Sequence, residues 1–302
     1  MNSPEMQAFL KQRAELMAAQ AGQPRPDLAT MRAGADSMAV PAPEDVSVTH
    51  VDAAGVPGDW VVAPGADPAR RLLYLHGGGY VLLSAKTHRR LAADISRASG
   101  CAVLALDYRL APEHPYPAAV DDAIAAYRWM LANGPDGPSE ATSAFIGGDS
   151  AGGGLTFATV LKARDSGDRL PDGAFGISAW TDVSNTRPTR ETRLGIDPLF
   201  TDPAIINGFQ AQYVGEADPR QPLVSPLFGD LAGFPPIFLI VADHEILLDD
   251  SIEFAEKARA ANVRTTLTVE PGAIHIYPQL NPELPESRAA IAEIGAFLRT
   301  NG

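Results

Sequence analysis

Continuous apolar runs alternate with stretches in which apolar residues recur every third or fourth position, and this alternation sets the architecture. Residues 3 to 20 carry Met6, Phe9, Leu10, Leu16 and Met17 at helical spacing, with Ser3 placed as N-cap and Pro4 at the first helical position. Gly22, Pro24 and Pro26 break that helix, Leu28 to Ala35 predicts a second, and Pro41-Ala42-Pro43 closes the segment. Val46 to Val51 alternates as a half-exposed strand does, Trp60-Val61-Val62 follows the Gly55 to Gly58 turn, and Leu72-Leu73-Tyr74-Leu75 is unbroken, as a strand buried on both faces would be. A helix lined by Leu91, Ile95 and Ala98 then ends at Gly100, Cys101 to Leu106 is a strand, and Val120, Ile124, Tyr127 and Leu131 line a helix that stops before Gly134. Strands over Ala144 to Ile146, Phe175 to Ala179, Ile237 to Val241 and Thr265 to Val269 follow. Between and after them lie helices beyond Ser150, around Ile252 to Ala261, and over Ile291, Ile294 and Leu298.

Strand and helix in alternation predict a doubly wound α/β fold: a mostly parallel sheet of eight strands, flanked by helices, with antiparallel strands at its start. One interval departs from the pattern. Between Asp182 and Gly233 no core strand is evident, yet Phe200, Ile205, Ile206, Phe209 and Tyr213 offer an apolar helix face. This predicts a helical cap inserted over the carboxyl edge of the sheet, where ligands of such folds bind, packed with the N-terminal helices. The chain accordingly divides into N-terminal cap helices (1–45), a first part of the core (46–181), the cap insertion (182–233) and a second part of the core (234–302).

The chain has 302 residues, enough to bury a substantial core, with 45% hydrophobic and 20% charged residues and no apolar run of membrane-spanning length. The N-terminus lacks a basic start and a continuous apolar segment, so a cytoplasmic location is expected. The formal charge of −13 repels phosphate backbones and anionic lipid, which argues against nucleic acid or membrane as partner. Cys101 is the sole cysteine and lies within a strand, so it reads as a small buried hydrophobe.

The chemistry gathers at Gly148-Asp149-Ser150-Ala151-Gly152, a Gly-x-Ser-x-Gly stretch behind an apolar run and ahead of a helix. A strand turning sharply into a helix at a serine pushes its Oγ out of the sheet. A hydroxyl is a weak nucleophile near neutral pH and needs a base, usually a histidine oriented by a carboxylate. Of six histidines, His275 lies in a loop after the last strand, where the order serine, acid, histidine would place the base. His50 sits in an edge strand, His88 and His114 precede the serine, and His244 adjoins the candidate acids. After Ile237 to Ala242 come Asp243, Glu245, Asp249 and Asp250. The last two open a helix and read as carboxylates favoured by its dipole, which leaves Asp243 or Glu245. His76-Gly77-Gly78-Gly79-Tyr80, directly after a strand, offers amides for an oxyanion, as does Ala151; no Gly-Lys-Ser/Thr ending or dinucleotide fingerprint makes it a phosphate loop.

Four motifs in order, His76 to Tyr80, Asp107-Tyr108-Arg109-Leu110-Ala111-Pro112-Glu113, Gly148 to Gly153 and the His275 region, resemble the hormone-sensitive-lipase-like branch of the α/β-hydrolases, the bacterial family IV carboxylesterases. The resemblance runs from about residue 45 to the end. It implies an α/β-hydrolase fold and a serine carboxylesterase acting on short- to medium-chain esters without metal or organic cofactor. In that family the acid precedes a leucine by two residues, which falls on Glu245 where many relatives have aspartate; Asp243 is the reserve. The implied triad is Ser150, Glu245 and His275, with Gly78, Gly79 and Ala151 donating to the oxyanion and Gly77 serving the turn. Asp107 to Ala119 resembles a structural signature in which Arg109 and Glu113 tie the strand exit to the helix from Pro117 to Leu131. Trp180 and Asp182 end the strand Phe175 to Ala179 and are placed to shape the pocket floor, though aromatic residues at such positions are more often core. The same machinery opens lactones, and plant hormone receptors of this family bind small ligands after losing the histidine, which is present here. Members often dimerise, so a homodimer is among the expected assemblies.

Overall fold

The continuous apolar runs become parallel strands because each must bury both faces. The computed structural model describes residues 2–20 and 26–302; the break expected at Gly22 and Pro24 lies outside them. In chain order the elements are α1 (Pro4–Gln20), α2 (Leu28–Ser37), β1 (Ser47–Asp52), β2 (Pro57–Val62), β3 (Asp67–Leu75), α3 (Ala85–Ser99), β4 (Cys101–Leu106) and α4 (Ala118–Ala132). A two-residue hairpin, β5 (Asn133–Gly134) and β6 (Gly137–Pro138), precedes β7 (Ser143–Asp149), α5 (Ala151–Ser166) and β8 (Gly173–Ile177). Then come α6 (Thr189–Thr192), α7 (Pro203–Val214), a 3-10 turn (Pro226–Phe228), β9 (Ile237–Ala242), α8 (Leu248–Ala260), β10 (Thr265–Glu270), α9 (Tyr277–Leu280) and α10 (Pro285–Thr300).

Eight strands form one sheet in the order β1-β2-β4-β3-β7-β8-β9-β10. β1 and β2 pair antiparallel, as do β2 and β4, and every later pair is parallel. The period-two alternation of a strand sorts neighbours into opposite layers. Leu73 and Leu75 face a core with Leu104, Ile146, Val120, Leu155 and Phe254, beneath α4, α5 and α8. Leu72 and Tyr74 face Val103, Phe145, Leu91, Ile291 and Leu298, beneath α3 and α10. Each fully buried Leu, Ile or Phe contributes about 1.5–3 kcal/mol, so these layers are the main stabilising term. Cys101 is buried and free within the second of them. Among the described residues no helix is long and apolar enough to cross a membrane.

The N-terminal helices are held differently. Ser3 caps α1 through Oγ to the Met6 amide (3.0 Å), and both its amide and its hydroxyl donate to Glu286 of α10. Met6 is buried with Phe9 and Leu10 against it, whereas Leu16 is exposed: the stripe breaks at Arg13, and the distal half of α1 presents no continuous apolar face. From α2, Arg32 donates to the carbonyls of Val81 and Ala111 and pairs with Glu113 (2.8 Å). Half of the expected tie at the β4 exit is therefore corrected. Arg109 does reach α4, pairing with Asp122 at 2.7 Å, but Glu113 turns outward to α2, where it pairs with Arg32.

A buried cation fixes the opposite end of the sheet. Arg71 of β3 has no exposed surface and donates to the carbonyls of Pro68, Met130 and Ser139 and to the Ser139 hydroxyl, at 2.7–2.9 Å. This pins the β5–β6 hairpin beneath α4. Replacing it with an apolar chain of similar length strands those carbonyls. Arg71→Met is expected to cost about 2–4 kcal/mol and lower the melting temperature by several degrees, as read by circular dichroism, with activity at 25 °C retained.

Candidate active site

The site begins with a turn that ordinary residues resist. Ser150, between β7 and α5, has φ 53° and ψ −121°, a positive-φ conformation that residues with a side chain rarely adopt and that costs about 1–3 kcal/mol. Backbone bonds hold it there: its amide donates to Ile177 (2.8 Å), and its carbonyl accepts from Trp180 (2.8 Å) and Gly154 (3.1 Å). Neighbouring side chains would not fit. A Cβ on Gly148 would lie 2.3 Å, and one on Gly152 2.0 Å, from the Leu75 carbonyl oxygen at the end of β3, so only hydrogen allows strand and helix to approach.

Three predicted residues meet at this turn. His275 Nε2 lies 2.9 Å from Ser150 Oγ, and His275 Nδ1 lies 3.2 Å from Glu245 Oε1. All three are buried, the serine retaining 8% of its surface. Glu245 Oε2 accepts from the Ala242 amide (3.1 Å) and the Ser178 hydroxyl (2.7 Å), and Ser178 Oγ in turn accepts from the Ile276 amide (3.1 Å). Burial opposes protonation of the His275 imidazole, but the carboxylate of Glu245, then those of Asp197 and Asp149, outweigh it and raise its pKa above the ordinary 6.5.

The other acids of the loop are occupied elsewhere. Asp243 Oδ1 accepts the Gly272 amide (2.6 Å), closing the turn before His275, and lies 3.7 Å from the half-exposed His244. The reading of Asp249 and Asp250 as dipole partners alone is too simple: both bind the segment after β8. Asp249 accepts the Thr189 amide, and buried Asp250 accepts the amides of Thr181 and Asp182 while pairing with Arg190 at 2.7 Å. Burial raises the Asp250 carboxyl to about 6 despite that guanidinium.

The glycine loop stands beside the serine. Gly78 and Gly79 adopt φ 109° and 65°, and among the described residues their amides and that of Ala151 have no acceptor in the protein. Asp149 supports the loop from below: Oδ1 accepts from the Gly77 amide (3.2 Å) and the Tyr74 hydroxyl (2.8 Å), and His88 Nε2 lies 3.2 Å away. Burial would raise the Asp149 pKa, yet His88 and Tyr74 hold it below the usual value. His76 stacks on Tyr108 with centroids 4.4 Å apart, and burial takes its pKa to about 3, so this imidazole is a neutral spacer. The Tyr108 hydroxyl donates to the His76 carbonyl.

The segment between β8 and β9 closes over these groups. Phe209 of α7 lies so near Gly79 that a Cβ there would sit 2.5 Å from its ring, and Tyr213 stacks on Tyr80 at 3.6 Å. The Phe200 ring meets the His275 imidazole edge-on at 5.2 Å.

A family model described as the alpha/beta hydrolase fold matches residues 72–279. An acetyl-hydrolase of Streptomyces hygroscopicus is 42% identical over 264 residues, 87% of this chain and 85% of its own. An esterase from the bacterial hormone-sensitive lipase family, 39% identical, superposes with a TM-score of 0.90 over 100% of this chain and 99% of that one. The chain belongs to the hormone-sensitive-lipase-like carboxylesterases of the α/β-hydrolase fold. A further similar structure is EstE5 soaked with p-nitrophenyl butyrate, 43% identical, TM-score 0.91, covering 99% of both chains.

Within this carboxylesterase fold, two residues at the site escape sequence reasoning. Ser178 follows β8 with φ 51°, ends that strand two residues before the predicted Ala179, and bridges Glu245 to the His275 loop. Asp197, in the insertion, accepts the His275 amide. Neither sits in a motif; a buried polar residue at a strand exit was the one available signal for Ser178. Ser178→Ala leaves Glu245 Oε2 with one donor and the Ile276 amide with none. It should lower kcat about tenfold with the far-ultraviolet spectrum unchanged, measured on a short p-nitrophenyl ester.

Proposed function

We propose that the protein hydrolyses short- to medium-chain carboxylic esters through an acyl-enzyme. The observation that carries this reading is the continuous relay from Ser150 through His275 to Glu245, set beside three amides that have no other acceptor among the described residues. In the first step His275 Nε2 takes the proton as Ser150 Oγ bonds to the ester carbonyl carbon. The negative oxygen that forms is met by the amides of Gly78, Gly79 and Ala151, and Glu245 stabilises the imidazolium. The imidazolium then protonates the departing alcohol. Water, deprotonated by the same nitrogen, attacks the acyl-serine and releases the acid.

The preference for small acyl groups rests on the crowding of the site by Phe200 and Phe209 and on the near-complete burial of Ser150. Two relatives are named for small esters: the acetyl-hydrolase above and an ethyl acetate hydrolase of Pseudomonas putida, 33% identical over 251 residues. The segments 1–45 and 182–233 act in this reading as the cap over a core formed by 46–181 and 234–302.

Ser150→Ala should reduce turnover of p-nitrophenyl butyrate at least about 10,000-fold and abolish labelling by a fluorophosphonate, read by intact mass; retained turnover would remove the proposal. Across acetate, butyrate, octanoate and palmitate esters, kcat/KM should fall steeply at the long end. The base must be neutral, so kcat/KM should rise with pH through a midpoint above 6.5. Glu245→Gln should lower both that midpoint and the rate, by about a thousandfold, while Asp243→Asn changes neither.

A further inference from the structure

We propose that Asp197 is a positioning residue for His275, fixing the loop that carries the base and making the base competent only while the insertion is docked. The proposal builds on the relay just assigned. Asp197 lies between α6 and α7, far in sequence from the rest of the site, and its side chain is entirely buried. Oδ2 accepts the His275 amide at 2.7 Å and Oδ1 the Leu199 amide at 2.8 Å, so one carboxylate joins the loop after β10 to the loop before α7. The second loop is itself tight, with the Phe200 amide on the Asp197 carbonyl and the Gly195 amide on the Phe200 carbonyl. It delivers Phe200 edge-on to the imidazole, so backbone and ring of residue 275 are both held from the insertion.

The chemistry of the group argues for more than a loop tie. Among the described residues Asp197 pairs with no Lys or Arg, and burial raises its carboxyl above the usual range. A buried carboxylate without a cation is costly, and an amide or hydroxyl could tie two backbone segments for less. The positive charge that relieves it is the one that develops on His275 when it takes the serine proton. The ionisable groups acting on that imidazole are Glu245 from the loop after β9, Asp197 from the insertion and Asp149 from the strand before the turn. Asp197 alone among them belongs to the insertion, the segment that lies over the serine and brings Phe200 to the imidazole.

The test compares Asp197→Asn and Asp197→Ala with wild type on p-nitrophenyl butyrate across pH. Asparagine keeps the shape but turns an N–H toward one of the two amides and removes the charge. Both variants should lose about tenfold to a hundredfold in kcat with KM little changed, label more slowly with a fluorophosphonate, and move the acid limb of kcat/KM to lower pH, though less far than Glu245→Gln. Unchanged kcat and pH profile would overturn the proposal, and so would a loss that tracks melting temperature while the acid limb stays put. If the alanine variant does not fold, the nearly isosteric asparagine variant decides. Ser150→Ala run alongside separates the two ideas: activity surviving in that variant removes the relay itself, whereas its loss together with a wild-type-like Asp197→Asn removes only the role of Asp197.

Discussion

The tightest constraint in the molecule is the contact of three backbones where β3 ends, β7 turns and α5 begins. The Leu75 carbonyl occupies the space that side chains at 148 and 152 would fill, and this permits the strained turn at Ser150. The glycine loop after Leu75 then emerges beside the serine, and the amide of Ala151 points the same way because it opens the helix. The proposed nucleophile and anion site are thus consequences of one packing arrangement. The polar groups beneath them, Asp149, Tyr74 and His88, brace a geometry that apolar packing alone would leave free to relax.

The acid and the base of the proposed relay arrive by another route. Glu245 and His275 ride on loops after β9 and β10, parallel neighbours, and parallel pairing puts both loops at the same end of the sheet as the serine. Ser178 and Asp197 then set their relative position. Each spans elements remote in sequence, the Ser178–Ile276 bond joining residues 98 apart and the Asp197–His275 bond residues 78 apart.

That distance decides what could be read from the sequence. The strands were legible because runs such as Leu72 to Leu75 and Cys101 to Leu106 admit no other burial, and the serine turn, the glycine loop and His275 because each sits in a local pattern with a mechanical reason. The choice of Glu245 over Asp243 needed the family resemblance, since nothing local separates two carboxylates on one loop. The β5–β6 hairpin and α6 were invisible, being too short to show a period. Glu113 was given the wrong partner because Arg32, 81 residues upstream, comes near only when α2 folds back over the loop. Asp197 and Ser178 went unmarked for the same reason: their significance lies in what they touch.

The order of strands also distributes robustness unevenly. β7, which leads to Ser150, has neighbours on both sides and every residue buried, whereas β10, which leads to the imidazole, closes the sheet with one neighbour and residues that are half-buried or exposed. Local opening is easiest where backbone bonds meet solvent and contacts are few. The serine therefore rests on the interior of the sheet, while the imidazole rides on a buried loop beyond a border strand, whose place depends on the bonds from Asp197 and Ser178 more than on the strand that leads to it.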